Sequence, residues 1–133
     1  GFGANSKSAL MARGLAEMAR VVESYGGRRE TTYGLAGMGD LAVTCFSPHS
    51  RNRTFGEMLG KGRRPGEARD EIGMVVEGEA TARALYDYSV RGGLDTPIVE
   101  AVVRLCEGAW SAREAVEALM RRELRDEFGR RDR

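Results

Sequence analysis

The chain predicts an all-α domain, and three observations carry that prediction. Apolar residues recur at alternating steps of four and three, as in Met11, Leu15, Met18, Val22 and Tyr25. Helix-start chemistry returns along the chain at Ser50, at Pro65, at Thr96-Pro97, and at Ser111 with Glu114 three residues on. No stretch alternates apolar and polar residues with period two between turn signals, so strands are not expected.

The first helix carries the Met11 to Tyr25 stripe, with Asn5 or Ser6 to cap it and Gly26-Gly27 to end it. Glu30 to Tyr33 reads as a short helical turn, and Asp40 to Phe46 as the next helical segment. After a break at Ser47-Pro48-His49, Ser50 to Leu59 forms a helix that stops at Gly60. Pro65 to Ile72 is a polar, exposed helix opened by proline in its first turn. Gly73 to Gly78 loses the helical rhythm and reads as a loop or short extended piece. Glu79 to Arg91 is helical and closed by Gly92-Gly93. The helix from Thr96-Pro97 places Val99, Val103 and Cys106 on one face and stops at Gly108. Trp110 reads as a packing anchor at the next junction. Ser111-Ala-Arg-Glu114 is a capping box ahead of a last helix running to about Leu124. The tail from Arg121 to Arg133 mixes six arginines with four acids and reads as a solvated, fraying helix end.

Bulk composition narrows the function classes. The 133 residues, 41% hydrophobic and 31% charged, suit one folded domain with a modest core. A formal net charge of +1 leaves no general field for nucleic acid or anionic lipid. No run approaches the length needed to span a bilayer, so membrane insertion is not expected. Gly1 to Asn5 has neither a basic nor an apolar signal region, so no signal peptide is expected there. Cys45 and Cys106 read as buried free thiols, and a cytoplasmic location follows as the simpler expectation. With one histidine and two cysteines, no metal site is expected.

The most informative stretch lies between Gly34 and Asn52. Asp40 and Thr44 are four residues apart and share a helix face. Gly37 and Gly39 remove side-chain bulk just ahead of them, where a ligand or another backbone can come close. Ser50 as N-cap puts Arg51 and Asn52 in the first turn of a helix, where N–H groups and a guanidinium can cradle a phosphate. The cluster reads as a site for a small phosphorylated, hydroxyl-bearing ligand. Each residue also has a plainer reading: Asp40 as an N-cap, Thr44 as a core threonine, Arg51 in a surface ion pair. His49 reads as an exposed loop residue, and Lys61-Gly62-Arg63-Arg64 as an exposed basic loop.

These residues carry a resemblance. Gly34-Leu-Ala-Gly-Met-Gly-Asp40-Leu, then Thr44-Cys45, Ser50-Arg51-Asn52-Arg53 and Val75-Val76-Glu77-Gly78, closely resemble bacterial NAD(P)-dependent glycerol-3-phosphate dehydrogenase. The opening Gly-Phe-Gly-Ala-Asn-Ser-Lys7 is similar to that family's Gly-x-Gly-x-Asn-x-Lys segment, and Arg113 to Leu124 to its last helix. The resemblance covers only the C-terminal, substrate-binding half. It implies one helical substrate-binding domain over residues 1–133, a compact bundle like the C-terminal domain of 6-phosphogluconate-dehydrogenase-like enzymes. It also implies hydride transfer interconverting sn-glycerol 3-phosphate and dihydroxyacetone phosphate, with NAD or NADP held mainly by an N-terminal Rossmann domain. Asp40 and Thr44 would then support catalysis, and Asp40, Ser50, Arg51 and Asn52 would bind substrate. Arg51, Val75 and Glu77 would touch the cofactor. The family's general-base lysine falls upstream of this chain, and Lys7 belongs to a different motif, so the chain alone is expected to be inactive.

Rival readings are a non-catalytic helical module for a phosphorylated metabolite or protein partner, and a related hydroxyacid or nucleotide-sugar dehydrogenase. The Ser50-Arg51-Asn52 run favours a phosphate over a carboxylate. Exposed apolar positions on the terminal helices would allow a homodimer. A helix-turn-helix DNA binder is disfavoured by the absence of a basic excess.

Overall fold

A computed structural model describes residues 3–122 and shows eight α-helices and one π-helical turn, with no strand among the described residues. The helices are α1 (Ala4–Ser24), α2 (Arg29–Tyr33), α3 (Asp40–Phe46), α4 (Arg51–Gly60), α5 (Pro65–Ile72), α6 (Glu77–Gly92), α7 (Pro97–Cys106) and α8 (Ala112–Arg121). The all-α expectation holds. The charged tail beyond Arg122, and with it the expected extension of the last helix to Leu124, lies outside the described residues.

Local chemistry accounts for most boundaries. The Ser50 hydroxyl accepts the Arg53 N–H at 3.2 Å and so caps α4. Pro65 opens α5 and Pro97 opens α7. In α8 the Ser111 hydroxyl accepts from the Glu114 N–H while the Glu114 carboxylate accepts from the Ser111 N–H, the full reciprocal box. Gly73 and Gly93 take left-handed conformations (φ 62° and 63°) at the ends of α5 and α6, which a side chain would resist.

Four expectations need correction. α1 is capped by the Gly3 backbone, not by Asn5 or Ser6, and no side-chain cap forms. Its buried face is Leu15, Ala16 and Ala19, whereas Met18 and Tyr25 are exposed. α1 packs on α7, where a Cβ on Gly14 would be in ordinary van der Waals contact with the Ile98 Cδ1 at 3.8 Å. α6 begins at Glu77, two residues early, which shortens the loop after α5. The polar helix α5 is exposed as expected, with Ala68 alone completely buried and tying it to the core. Cys45 is exposed and Cys106 only partly buried, so the two thiols are free but not both interior.

The core has two parts. Phe55, Leu59, Ala68 and Val76 form one cluster, joining α4 and α5 to the segment before α6. Ala101, Ala115 and Leu119 form the other between α7 and α8, with Trp110 packed against it as expected. Leu105 borders both and makes α7 the shared wall. Such burial stabilises at roughly 25 cal/mol per Å² of apolar surface. α1 is locked onto α7 by a buried acid, Glu17, whose carboxylate accepts the N–H groups of Ile98 (2.9 Å) and Val99 (2.8 Å). That carboxylate sits at the positive end of α7, where a negative charge is favoured.

Candidate functional site

The site is built where α3, α4 and the start of α6 meet. Ahead of α3, Leu35–Gly39 forms a π-helical turn that runs directly into Asp40. Asp40 is therefore the first residue of α3, with Gly39 before it already in the α-helical conformation; the N-cap reading of Asp40 is not what forms. The turn fits because Gly37 lacks a side chain: a Cβ there would stand 2.0 Å from the Thr32 carbonyl oxygen on α2. Gly39 has ordinary room, so only Gly37 is required for close approach.

Arg53 links α3 to α4. Its Nη1 donates to the Phe46 carbonyl at the end of α3 (2.8 Å), and its Nε donates to Glu57 one turn along α4 (2.8 Å). The guanidinium holds the Glu57 carboxyl below its ordinary range. Between the helices, the Ser47 hydroxyl accepts the His49 N–H at 3.2 Å and the Ser47 carbonyl accepts the Ser50 N–H at 3.3 Å. The Ser47-Pro48-His49 break is thus a tight turn that delivers Ser50 to its capping position.

An open cleft of about 330 Å³ results, with Thr44, His49, Ser50, Arg51, Asn52 and Glu77 among its lining residues. Its far wall comes from residues more than twenty positions away. Arg51 Nη1 donates to the Val75 carbonyl (3.0 Å), and Nη2 lies 3.5 Å from Glu77 Oε1. The Gly78 N–H donates to Asn52 Oδ1 at 3.1 Å. A Cβ on Gly78 would fall within 2.9 Å of the Asn52 amide, so glycine lets α6 approach α4 here.

The structure therefore brings together five of the seven residues singled out by sequence: Thr44, Ser50, Arg51, Asn52 and Glu77. Asp40 is exposed one turn back on α3 and is not among the lining residues. Val75 meets Arg51 through its carbonyl; its own side chain is 72% exposed outside the cleft lining. His49, which the sequence reading leaves out, lines the cleft. Its position next to the Ser50 cap was the available signal. The role of Gly78 was not legible, because it depends on a pairing across 26 residues.

Chemically, the cleft offers the N-terminal end of α4, a guanidinium, an amide, hydroxyls and one carboxylate. Helix geometry directs the N–H groups of Arg51 and Asn52 out of that end. Only two of the five guanidinium N–H donors are used in the Val75 and Glu77 interactions. This set suits an oxyanion carried by a polyhydroxylated molecule.

Comparison with known proteins agrees in kind. The family model described as NAD-dependent glycerol-3-phosphate dehydrogenase C-terminus matches residues 1–117. A glycerol-3-phosphate dehydrogenase (NAD(P)+) of Clostridium perfringens is 48% identical over 128 residues, covering 96% of this chain and 38% of that protein. A protein of the same name from Chlorobium phaeobacteroides is 46% identical over 129 residues, covering 97% and 39% respectively. The crystal structure of glycerol-3-phosphate dehydrogenase from Coxiella burnetii matches with a TM-score of 0.86 at 38% identity, covering 90% of this chain and 37% of that one. The chain thus spans little more than a third of the length of these relatives.

Proposed function

This chain belongs to the NAD-dependent glycerol-3-phosphate dehydrogenase C-terminus family, and we propose that it forms the substrate-binding half of such an enzyme. In that reading the complete protein interconverts sn-glycerol 3-phosphate and dihydroxyacetone phosphate. The observation that carries it is the cleft at the start of α4, where Ser50, Arg51 and Asn52 meet Thr44 and Glu77.

Arg51 takes the substrate phosphate, and the amide end of α4 adds N–H donors to the same oxygens. The long 3.5 Å approach of Glu77 leaves the guanidinium able to turn toward a stronger acceptor. Asn52, with its Oδ1 committed to Gly78, keeps its amide NH2 for the ligand. Thr44 offers a hydroxyl to the substrate's own hydroxyls. Asp40 lies one turn back from Thr44 on the same face of α3, where its carboxylate orients a base supplied by the remainder of the protein. Holding the phosphate fixes the distance from anchor to reacting carbon, so Arg51 acts through positioning.

The nicotinamide dinucleotide is held mainly by an N-terminal dinucleotide-binding domain outside this chain. The residues on this side suit its edge: a guanidinium at Arg51 for phosphate oxygens, exposed apolar surface at Val75, and an exposed carboxylate at Glu77 for ribose hydroxyls. When bound, the nicotinamide would supply the hydride chemistry at the C2 carbon. The whole operates in the cytoplasm, where the free thiols Cys45 and Cys106 stay reduced.

The test is nicotinamide-linked turnover by the natural protein that contains this chain. Glycerol 3-phosphate oxidation and dihydroxyacetone phosphate reduction are expected, with little activity on unphosphorylated hydroxyacids. Equal activity on hydroxyacids lacking phosphate would remove the reading.

A further inference from the structure

We propose that Arg69 and Glu79 are positioning residues for the cleft, their ion pair closing the 73–78 segment so that the Val75 carbonyl meets Arg51 and the Gly78 N–H meets Asn52. The proposal rests on the reading of the cleft as an anion site, and it concerns residues that do not line that cleft.

The pair straddles the segment. Arg69 is near the end of α5 and Glu79 is in the first turn of α6. Arg69 Nε donates to both carboxylate oxygens of Glu79 (3.1 and 3.0 Å), and Nη2 donates to Oε1 at 2.7 Å. The same Nη2 donates to the Cys106 carbonyl at the end of α7 (2.8 Å), and the guanidinium stands 5.9 Å from the Phe55 ring centroid. The Glu79 side chain is only 20% exposed. One guanidinium therefore ties α5, α6 and α7 together beside the core cluster of Phe55 and Val76.

The segment it closes has little else to hold it. Gly73 turns the chain with a left-handed conformation, and Met74 and Val75 are 63% and 72% exposed. Only Val76 enters the core. Val76 fixes where the segment is anchored, but one anchor leaves rotation about it open. The first turn of α6 sets that rotation; besides the Glu77 and Gly78 contacts with α4 that form the cleft itself, Glu79 is the residue of that turn bound to α5. Letting the turn rotate would lengthen the 3.0 Å Arg51–Val75 bond and the 3.1 Å Gly78–Asn52 bond together. A guanidinium that has lost its carbonyl brace must be ordered by the incoming anion, and that ordering weakens binding.

Two readouts test this in the natural protein that contains the chain. In Glu79→Ala, amide hydrogen exchange at Gly78 is expected to accelerate about tenfold or more while amides of α1 are unchanged. Affinity for inorganic phosphate is expected to fall about fivefold, and the same change made on an Arg51→Ala background should have no further effect. Glu79→Gln, which keeps the side-chain shape, should move both readouts in the same direction by less; it serves if the alanine variant folds poorly. Unchanged Gly78 exchange in either variant overturns the proposal, as does an equal fall in phosphate affinity with and without Arg51. If the unmodified protein binds no phosphate, the cleft reading fails by itself, and Gly78 exchange still decides whether the pair holds the segment.

Discussion

Arg51 and Val75 lie 24 residues apart, yet the Arg51 guanidinium donates a 3.0 Å bond to the Val75 carbonyl and so ties α4 to the approach to α6. Glu77 is the other acceptor on that guanidinium, and its charge competes with any bound anion. Glu77→Gln is therefore expected to tighten inorganic phosphate binding about two- to fivefold, the range of an exposed pair. Titration calorimetry checks this. Weaker phosphate binding would mean that Glu77 holds Arg51 in its binding pose.

The π-helical turn before α3 depends on a missing methyl group. Gly37→Ala would drive a Cβ into the Thr32 carbonyl, a backbone atom that cannot move aside cheaply. The expected cost is about 2 kcal/mol or more, the range for overpacking against fixed backbone. A fall in the urea midpoint reads it, and Gly39→Ala, with ordinary room around its Cβ, should cost much less.

Glu17 makes stability depend on pH. Burial is the largest influence and pushes its carboxyl above the ordinary 4.5, against the opposing pull of the Ile98 and Val99 N–H groups. The native state then holds this proton more tightly than the unfolded chain does. Stability from this group is greatest below 4.5 and declines as pH rises from there through the raised native value. Glu17→Gln should remove that decline. Unfolding free energies measured from about pH 4 to about pH 7 should show the native protein losing ground to the variant as pH rises. Parallel curves would contradict the assignment.

The two cysteines should separate in a thiol-labelling experiment. Cys45 is exposed, whereas burial, with Glu79 beside it, pushes the Cys106 thiol up to about 11. At pH 8 the thiolate of Cys106 is then about one part in a thousand. One fast and one slow phase are expected, with Cys45→Ala removing the fast one. A single phase would mean that Cys106 is more open than its packing implies.

How much was readable in advance follows from how local each cause is. The starts of α4, α5, α7 and α8 were legible because Ser50, Pro65, Pro97 and Ser111 act on their own next few residues. The buried face of α1 was only partly legible: the long apolar side chains define a stripe of which Leu15 is buried but Met18 and Tyr25 are exposed, while Ala16 and Ala19, which the stripe omits, are buried. The π-helical turn had no local signal separate from an ordinary helix start, so Asp40 passed for a cap. For the site, Ser50, Arg51 and Asn52 followed from helix-start chemistry alone. Glu77 came only from the family resemblance, and the backbone bonds from Val75 and Gly78 depend on tertiary pairing that no local pattern announces.

The anion-binding assignment of the cleft is tested most directly by titrating glycerol 3-phosphate and inorganic phosphate into the natural protein and its Arg51→Ala variant. Loss of charge-assisted bonds should weaken both ligands about ten- to a hundredfold, with thermal stability nearly unchanged because the guanidinium is at the surface. Equal affinities in the two proteins would contradict the account.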